Sequence, residues 1–214
     1  MSDLMLTPRS YIYRLLSNFF AKELTTENIE SIKSGDTARL MDALKEIEPY
    51  STIINSLKEY FIKITDAKQA YFDLAESYAW LFHGVAGPQA APLTASVYLS
   101  QNGNIRQEPE AELFKLMQSY GLSYKNYAKE PCDHLSVILE FVSWLNEQAE
   151  TAEDPAPWTE EQKLVIEKYL LSWLPDFAAR CRQGDRLGFY AALAENTLEF
   201  VTEDARQIKN GSSG

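Results

Sequence analysis

The chain holds only two cysteines and two histidines in 214 residues. Two cysteines cannot build a disulfide framework and point to a reducing compartment. Two histidines leave little scope for metal chemistry. Nine glycines and nine prolines are too few for a disordered or collagen-like chain. No stretch reaches the roughly 18 to 20 apolar residues that a transmembrane helix needs. Arg9 and Arg14 interrupt the apolar N-terminal stretch, and no small-residue cleavage site follows, so a secretory signal is not expected. Cations are also scarce. Twenty Lys and Arg face thirty-one Asp and Glu, a net charge of -11. Such a chain has no electrostatic reason to seek nucleic acid or an anionic membrane, and favours basic partners. The expectation is a cytoplasmic protein with no nucleic-acid partner and no membrane insertion.

What the chain does have is helical periodicity throughout. Thr7 and Pro8 read as an N-cap and first-turn pair. Tyr11, Leu15 and Phe19, with Ile12, Leu16 and Phe20, recur at helical spacing. Gly35 separates helical stretches at 27–33 and 37–47, and Pro49 stops the second. Another helix fits 51–64. Asp66 with Gln69 marks a capped start. The helix behind it carries a stripe of Tyr71, Leu74, Tyr78, Leu81 and Phe82, and Gly84 ends it. Residues 84–105, punctuated by Gly84, Gly87, Pro88, Pro92, Asn102 and Gly103, read as a long loop with one short extended piece near Ser96–Leu99. Helical signal resumes at 108–120. Pro131 opens a long helix to about Glu150. Residues 151–157 form a polar, proline-bearing hinge. Thr159 with Gln162 restarts a helix that Pro175 should kink. Gly184 and Asp185 precede the last helix. Nothing argues for a sheet. The class is all-α, a compact bundle of about nine or ten helices. The expected division is an N-terminal part at 1–150, the hinge, a C-terminal helical pair at 158–208, and a flexible tail or tag remnant at 209–214.

The most informative stretch is Glu130-Pro131-Cys132-Asp133-His134. Capping and the helix dipole account for Glu130, Pro131 and Asp133 without any function. On a helix, Leu135, Ile138, Val142 and Leu145 share the core face, while Asp133, Glu140 and Glu147 lie opposite. Glu130 to Glu161 holds nine acidic residues and no Lys or Arg. A single-signed run of this kind attracts a cationic ligand, and an arginine-bearing peptide suits it because guanidinium meets carboxylate bidentately. His134 falls at the edge of the core face, as a packed histidine or a residue at a pocket rim. Tyr78, Leu81 and Phe82 end a helix just before the long loop, and Tyr98 follows that loop. They are core residues or the floor of a groove for an apolar peptide.

Enzyme motifs are absent. There is no phosphate loop and no dinucleotide fingerprint. Cys132 at a helix start has a route to a lowered thiol pKa, but Cys132 and His134, two apart, do not face each other as a dyad. Zinc would need Cys132, Cys181, His83 and His134 to converge from separate elements. No catalytic residue, metal or cofactor is assigned.

These segments resemble the TorD/DmsD family of cytoplasmic chaperones for molybdenum-containing redox enzymes. Glu130-Pro131-Cys132-Asp133-His134-Leu135 resembles the family's E-P-x-D-H signature. Tyr78-Ala79-Trp80-Leu81-Phe82 with Gly84 resembles its second motif, and Ala95-Ser96-Val97-Tyr98 the small-Ser-x-aromatic piece after the loop. Many relatives carry Pro-aromatic before that piece; here Leu93-Thr94 stands there and Pro92 is displaced by one. Trp173-Leu174-Pro175-Asp176-Phe177, Arg180-Cys181-Arg182-Gln183 and Gly188-Phe189-Tyr190-Ala191-Ala192-Leu193 are similar to the branch that serves trimethylamine N-oxide reductase. The resemblance implies a helical chaperone fold able to domain-swap, as monomer or homodimer. It implies binding of the client's twin-arginine signal peptide and its apo-form, so that cofactor insertion precedes export. The family's signal-peptide-binding residues fall on Tyr78, Leu81, Phe82, Glu130, Pro131, Asp133 and His134. Weak guanine-nucleotide binding is also attributed to the family, and no segment here reads as a nucleotide site. The rival reading is a general all-α peptide-binding adaptor, which would be indifferent to loss of a peptide's arginine pair.

Overall fold

A computed structural model describes residues 7–100, 108–122 and 130–211. Asn102 and Gly103 of the long loop, and residues 212–214 of the tail, lie outside these. Among the described residues there are eleven α-helices and no strand, in line with the all-α expectation. No described helix is long and apolar enough to cross a membrane.

The chain forms two units and passes between them repeatedly. The first comprises residues 1–21, 93–173 and 205–214; the second comprises 22–92 and 174–204.

In the first unit, α1 (Pro8–Ala21) packs on α8 (Leu135–Thr151). Thr7 caps α1 as its sequence suggests, its Oγ1 accepting from the Ser10 amide at 3.4 Å. Ile12, Leu16, Leu135, Ile138, Val142 and Leu145 are fully buried. Small hydroxyl side chains line the same seam. Ser17 donates to the Ser136 carbonyl at 2.8 Å, and Ser143 to the Ser10 carbonyl at 2.9 Å. Short side chains let the two backbones come close while leaving no hydroxyl unpaired. The remaining helices here are α6 (Ala95–Leu99), α7 (Glu108–Ser119) and α9 (Ala156–Val165).

The second unit holds α2 (Thr26–Ser34), α3 (Asp36–Leu44), α4 (Ser51–Ile62), α5 (Ala67–Phe82), α10 (Leu174–Gly184) and the start of α11 (Phe189–Gly211). Gly35 separates α2 from α3, and Asp66 caps α5 by accepting from the amides of Lys68 and Gln69. Gly84, at φ 78, turns the chain just past α5. A left-handed turn of this kind favours glycine.

Four expectations need correction. First, residues 84–105 are not all irregular, because Ala95–Leu99 is helical rather than extended. Second, α8 begins at Leu135 with His134 as its cap, so Pro131 lies in the preceding turn. Third, 151–157 does not part the chain. Pro155 stands at the N-cap position of α9, Asp154 accepts from the Ala156 amide, and Pro157 sits in the first turn, where a missing N–H costs nothing; α9 then packs on α8 inside the same unit. Fourth, Pro175 kinks nothing. The chain widens into a π-turn at Ile166–Leu170, and Pro175 falls in the first turn of the new helix α10. The last helix also runs further than expected, with Lys209 Nζ 2.8 Å from Glu167.

Candidate functional site

The five residues of α6 are too few to sustain a helix alone, since nucleation is costly and the ends leave backbone groups unpaired. Thr94 stands at its N-cap but makes no side-chain cap bond. The cap comes from about forty residues away. Asp133 Oδ2 accepts from the Ser96 amide at 2.8 Å and from Ser96 Oγ at 2.5 Å. Backbone bonds flank it. The Ala95 amide donates to the Asp133 carbonyl at 3.0 Å, and the Leu135 amide to the Leu93 carbonyl at 2.7 Å. Thr94 and His134 thereby form an isolated antiparallel bridge. This clasp ties the small-Ser-x-aromatic piece to the acidic signature. Asp133 is wholly buried, and its Oδ1 has no hydrogen-bond partner.

His134 sits beside Asp133 and opens α8. Its Nδ1 accepts from the Ser136 amide at 3.3 Å and lies 2.8 Å from Ser136 Oγ. An Nδ1 that accepts from an amide carries no proton. Burial pushes the imidazole down to about 4 from its usual 6.5. Folding therefore excludes a proton that the unfolded chain binds below pH 6.5. Stability from this group is fully present above pH 6.5 and is lost as pH falls towards 4, by on the order of 3 kcal/mol. Comparing denaturant midpoints across that window with those of His134→Asn, which keeps a capping side chain, should show a flatter profile in the variant.

Glu130 is the exposed member of the signature, Pro131 is half-buried, and Cys132 is buried. Burial, helped by Glu110 and Asp133, raises the Cys132 thiol to about 11. That is opposite to the activation its helix-start position allowed. Cys181 is also buried, with its thiol pushed well up. Among the described residues no three His, Cys, Asp or Glu side chains are grouped to hold a metal ion.

Part of the acidic run is engaged within the fold. Arg14 of α1 reaches it, with Nη2 2.8 Å from Glu147 and Nε 3.2 Å from Glu140. Glu161 accepts from Tyr120 Oη at 2.8 Å, and Glu150 accepts from Asn146 at 3.2 Å. Asp133 faces the clasp and not the Glu140 side of α8. Among the described residues the Glu130 carboxylate neither joins an ion pair nor accepts a hydrogen bond, and Glu130 is exposed.

Tyr78, Leu81 and Phe82 belong to the second unit, away in the chain from the signature. All three are buried. Tyr78 meets Phe82 edge-on at 4.9 Å, and Tyr190 packs against both, at 5.7 and 5.0 Å. Phe177 stacks on Phe82 at 6.1 Å. The end of α5 is thus an aromatic cluster within the core of its unit. Sequence reasoning missed Ser96 as the partner of Asp133, although the motif containing Ser96 was visible. It also missed Arg14, whose position on a distant helix gave no local signal.

The comparisons with known proteins bear on the same segments. Residues 44–179 match the family model described as nitrate reductase delta subunit. A TorD chaperone of Vibrio parahaemolyticus is 32% identical over 94% of this chain and 94% of its own. The chain belongs to the TorD family of redox-enzyme maturation chaperones. A second TorD chaperone, from Escherichia coli, is 31% identical over 95% of this chain and 98% of its own. A solved structure from Archaeoglobus fulgidus, described as a redox enzyme maturation protein, has a TM-score of 0.51 at 22% identity and covers 92% of this chain and 94% of its own. It carries the fold alone. TorD relatives are chaperones, a non-enzymatic role that accords with the missing catalytic motifs.

Proposed function

We propose that this TorD-family chain works in the cytoplasm as the chaperone of a molybdenum-containing reductase, with trimethylamine N-oxide reductase as client. It binds the client's twin-arginine signal peptide and its apo-form, so that cofactor insertion precedes export. The observation that carries this reading is Glu130. It is the exposed carboxylate of the E-P-x-D-H signature, three residues before the clasped Asp133. In this proposal Glu130 meets a leader arginine, with Pro131 beside it, and Asp133 and His134 hold the segment in shape. The apolar part of the leader is assigned to the end of α5 at Tyr78, Leu81 and Phe82. All three are covered in the free protein, so this half of the reading requires the aromatic cluster to open on binding.

The test is a calorimetric titration with a synthetic trimethylamine N-oxide reductase leader, beside a copy whose arginine pair is replaced by alanines. A charge-assisted contact at Glu130 predicts that Glu130→Lys and the alanine copy each weaken binding by about tenfold or more. Unchanged affinity in Glu130→Lys would remove Glu130 from the site. Binding of neither peptide would move recognition to the mature enzyme.

A further inference from the structure

Trp80 lies on the last turn of α5, half-buried, in the second motif. Its indole N–H donates to the Gly184 carbonyl at 3.1 Å, which fixes the ring plane. The guanidinium of Arg186 lies over the ring, 3.3 Å from its centroid. Arg186 is exposed and, among the described residues, has no ion pair, although the chain carries a net charge of -11. The neighbouring Asp185 is engaged elsewhere. Its Oδ1 accepts from Ser77 Oγ at 2.8 Å and from the Leu187 amide at 3.0 Å, and its Oδ2 from the Ala191 amide at 2.9 Å. Gly184 is seated so closely that a Cβ there would lie 2.3 Å from the Gln89 carbonyl oxygen. Ring and loop are therefore held by contacts that do not involve Arg186. Its side chain can swing away by rotation alone and leave an intact, fixed aromatic face. Val85 and Leu187, both exposed apolar residues, adjoin this place in the chain.

We propose that the face of Trp80 is a receptor for an arginine side chain of a bound peptide, and that Arg186 fills it as an internal stand-in when no peptide is present. The inference rests on the arginine-bearing leader reading above and adds a second group to it. Guanidinium is the favoured ligand because its planar, weakly hydrated cation stacks on indole better than an ammonium does. The acidic chain draws in a cationic peptide, and the exposed apolar neighbours suit arginine within a peptide more than free arginine.

The test titrates the leader peptide into wild type, Arg186→Gln, Trp80→Leu and the double variant at near-physiological salt. Lys63→Gln, an equal charge change at an exposed site on the same unit, serves as control. Removing the stand-in should tighten binding by about two- to fivefold, the size of an exposed cation–π contact. Lys63→Gln should not. The gain should vanish in the Trp80→Leu background and with a leader whose arginines are lysines. A gain of equal size in Lys63→Gln, a gain that persists without Trp80, or none in Arg186→Gln would overturn the proposal. If wild type binds the arginine leader but not its alanine copy while Arg186→Gln matches wild type, the leader reading stands and the stand-in alone fails. If neither wild type nor Arg186→Gln binds, both fail.

Discussion

Asp133→Ala should lower stability by about 3 kcal/mol, a loss usually associated with a large core residue. The carboxylate is wholly buried and is the only side-chain cap of α6 among the described residues. Its removal takes the Asp133 acceptor from both the Ser96 amide and the Ser96 hydroxyl in a place closed to water. Ser96→Ala removes the hydroxyl bond but keeps the amide bond, so its cost should be smaller, about 1 kcal/mol. Because both changes act on one bonded pair, the double variant should lose less than the two single losses combined. Denaturant midpoints for the four proteins measure this. Strict additivity, or a loss below about 1 kcal/mol in Asp133→Ala, would show that the clasp does not hold α6. A leader-binding defect in an Asp133 variant would then need another explanation than a misplaced signature.

The second large effect belongs to Phe82. Its ring is enclosed by Tyr78, Phe177 and Tyr190. Phe82→Ala should therefore cost about 3 to 5 kcal/mol in unfolding free energy, and Phe82→Leu much less, because leucine refills most of the volume. Thermal or denaturant melts of the two variants decide this. Equal and small losses would place the ring in a loosely packed setting already suited to receive a ligand. The expected large loss means that leader binding by Phe82→Ala has to be read at a temperature where the variant is still folded.

The helices were legible where their signals were local. Asp66 with Gln69, Thr7 with Pro8, and Gly35 between two helices each act within one turn of chain, and each stands where the sequence put it. The core faces of α1 and α8 were legible because burial repeats with the helix period. What the sequence hid was non-local. The cap of α6 lies on Asp133, so Ser96–Leu99 read as a short extended piece within a loop. The neutralising cation for Glu140 and Glu147 is Arg14, more than a hundred residues earlier, so the acidic run read as one without a compensating base. Pro175 looked like a kink because the π-turn that ends the previous helix has no plain sequence mark. The motifs themselves were legible. Their division into one exposed carboxylate and several buried supports was not, because burial depends on partners that spacing does not reveal.

The route of the chain has a consequence for how the protein is made. Each unit is assembled from pieces that are separated in the sequence, and each still lacks a piece when residue 188 has been added. The second unit waits for the start of α11 and the first for its end. On the ribosome, then, neither can finish early and shelter the other. A nascent chain stopped at the bend between α8 and α9 would hold two incomplete cores, and so this chaperone of other proteins' maturation is itself exposed until α11 has emerged.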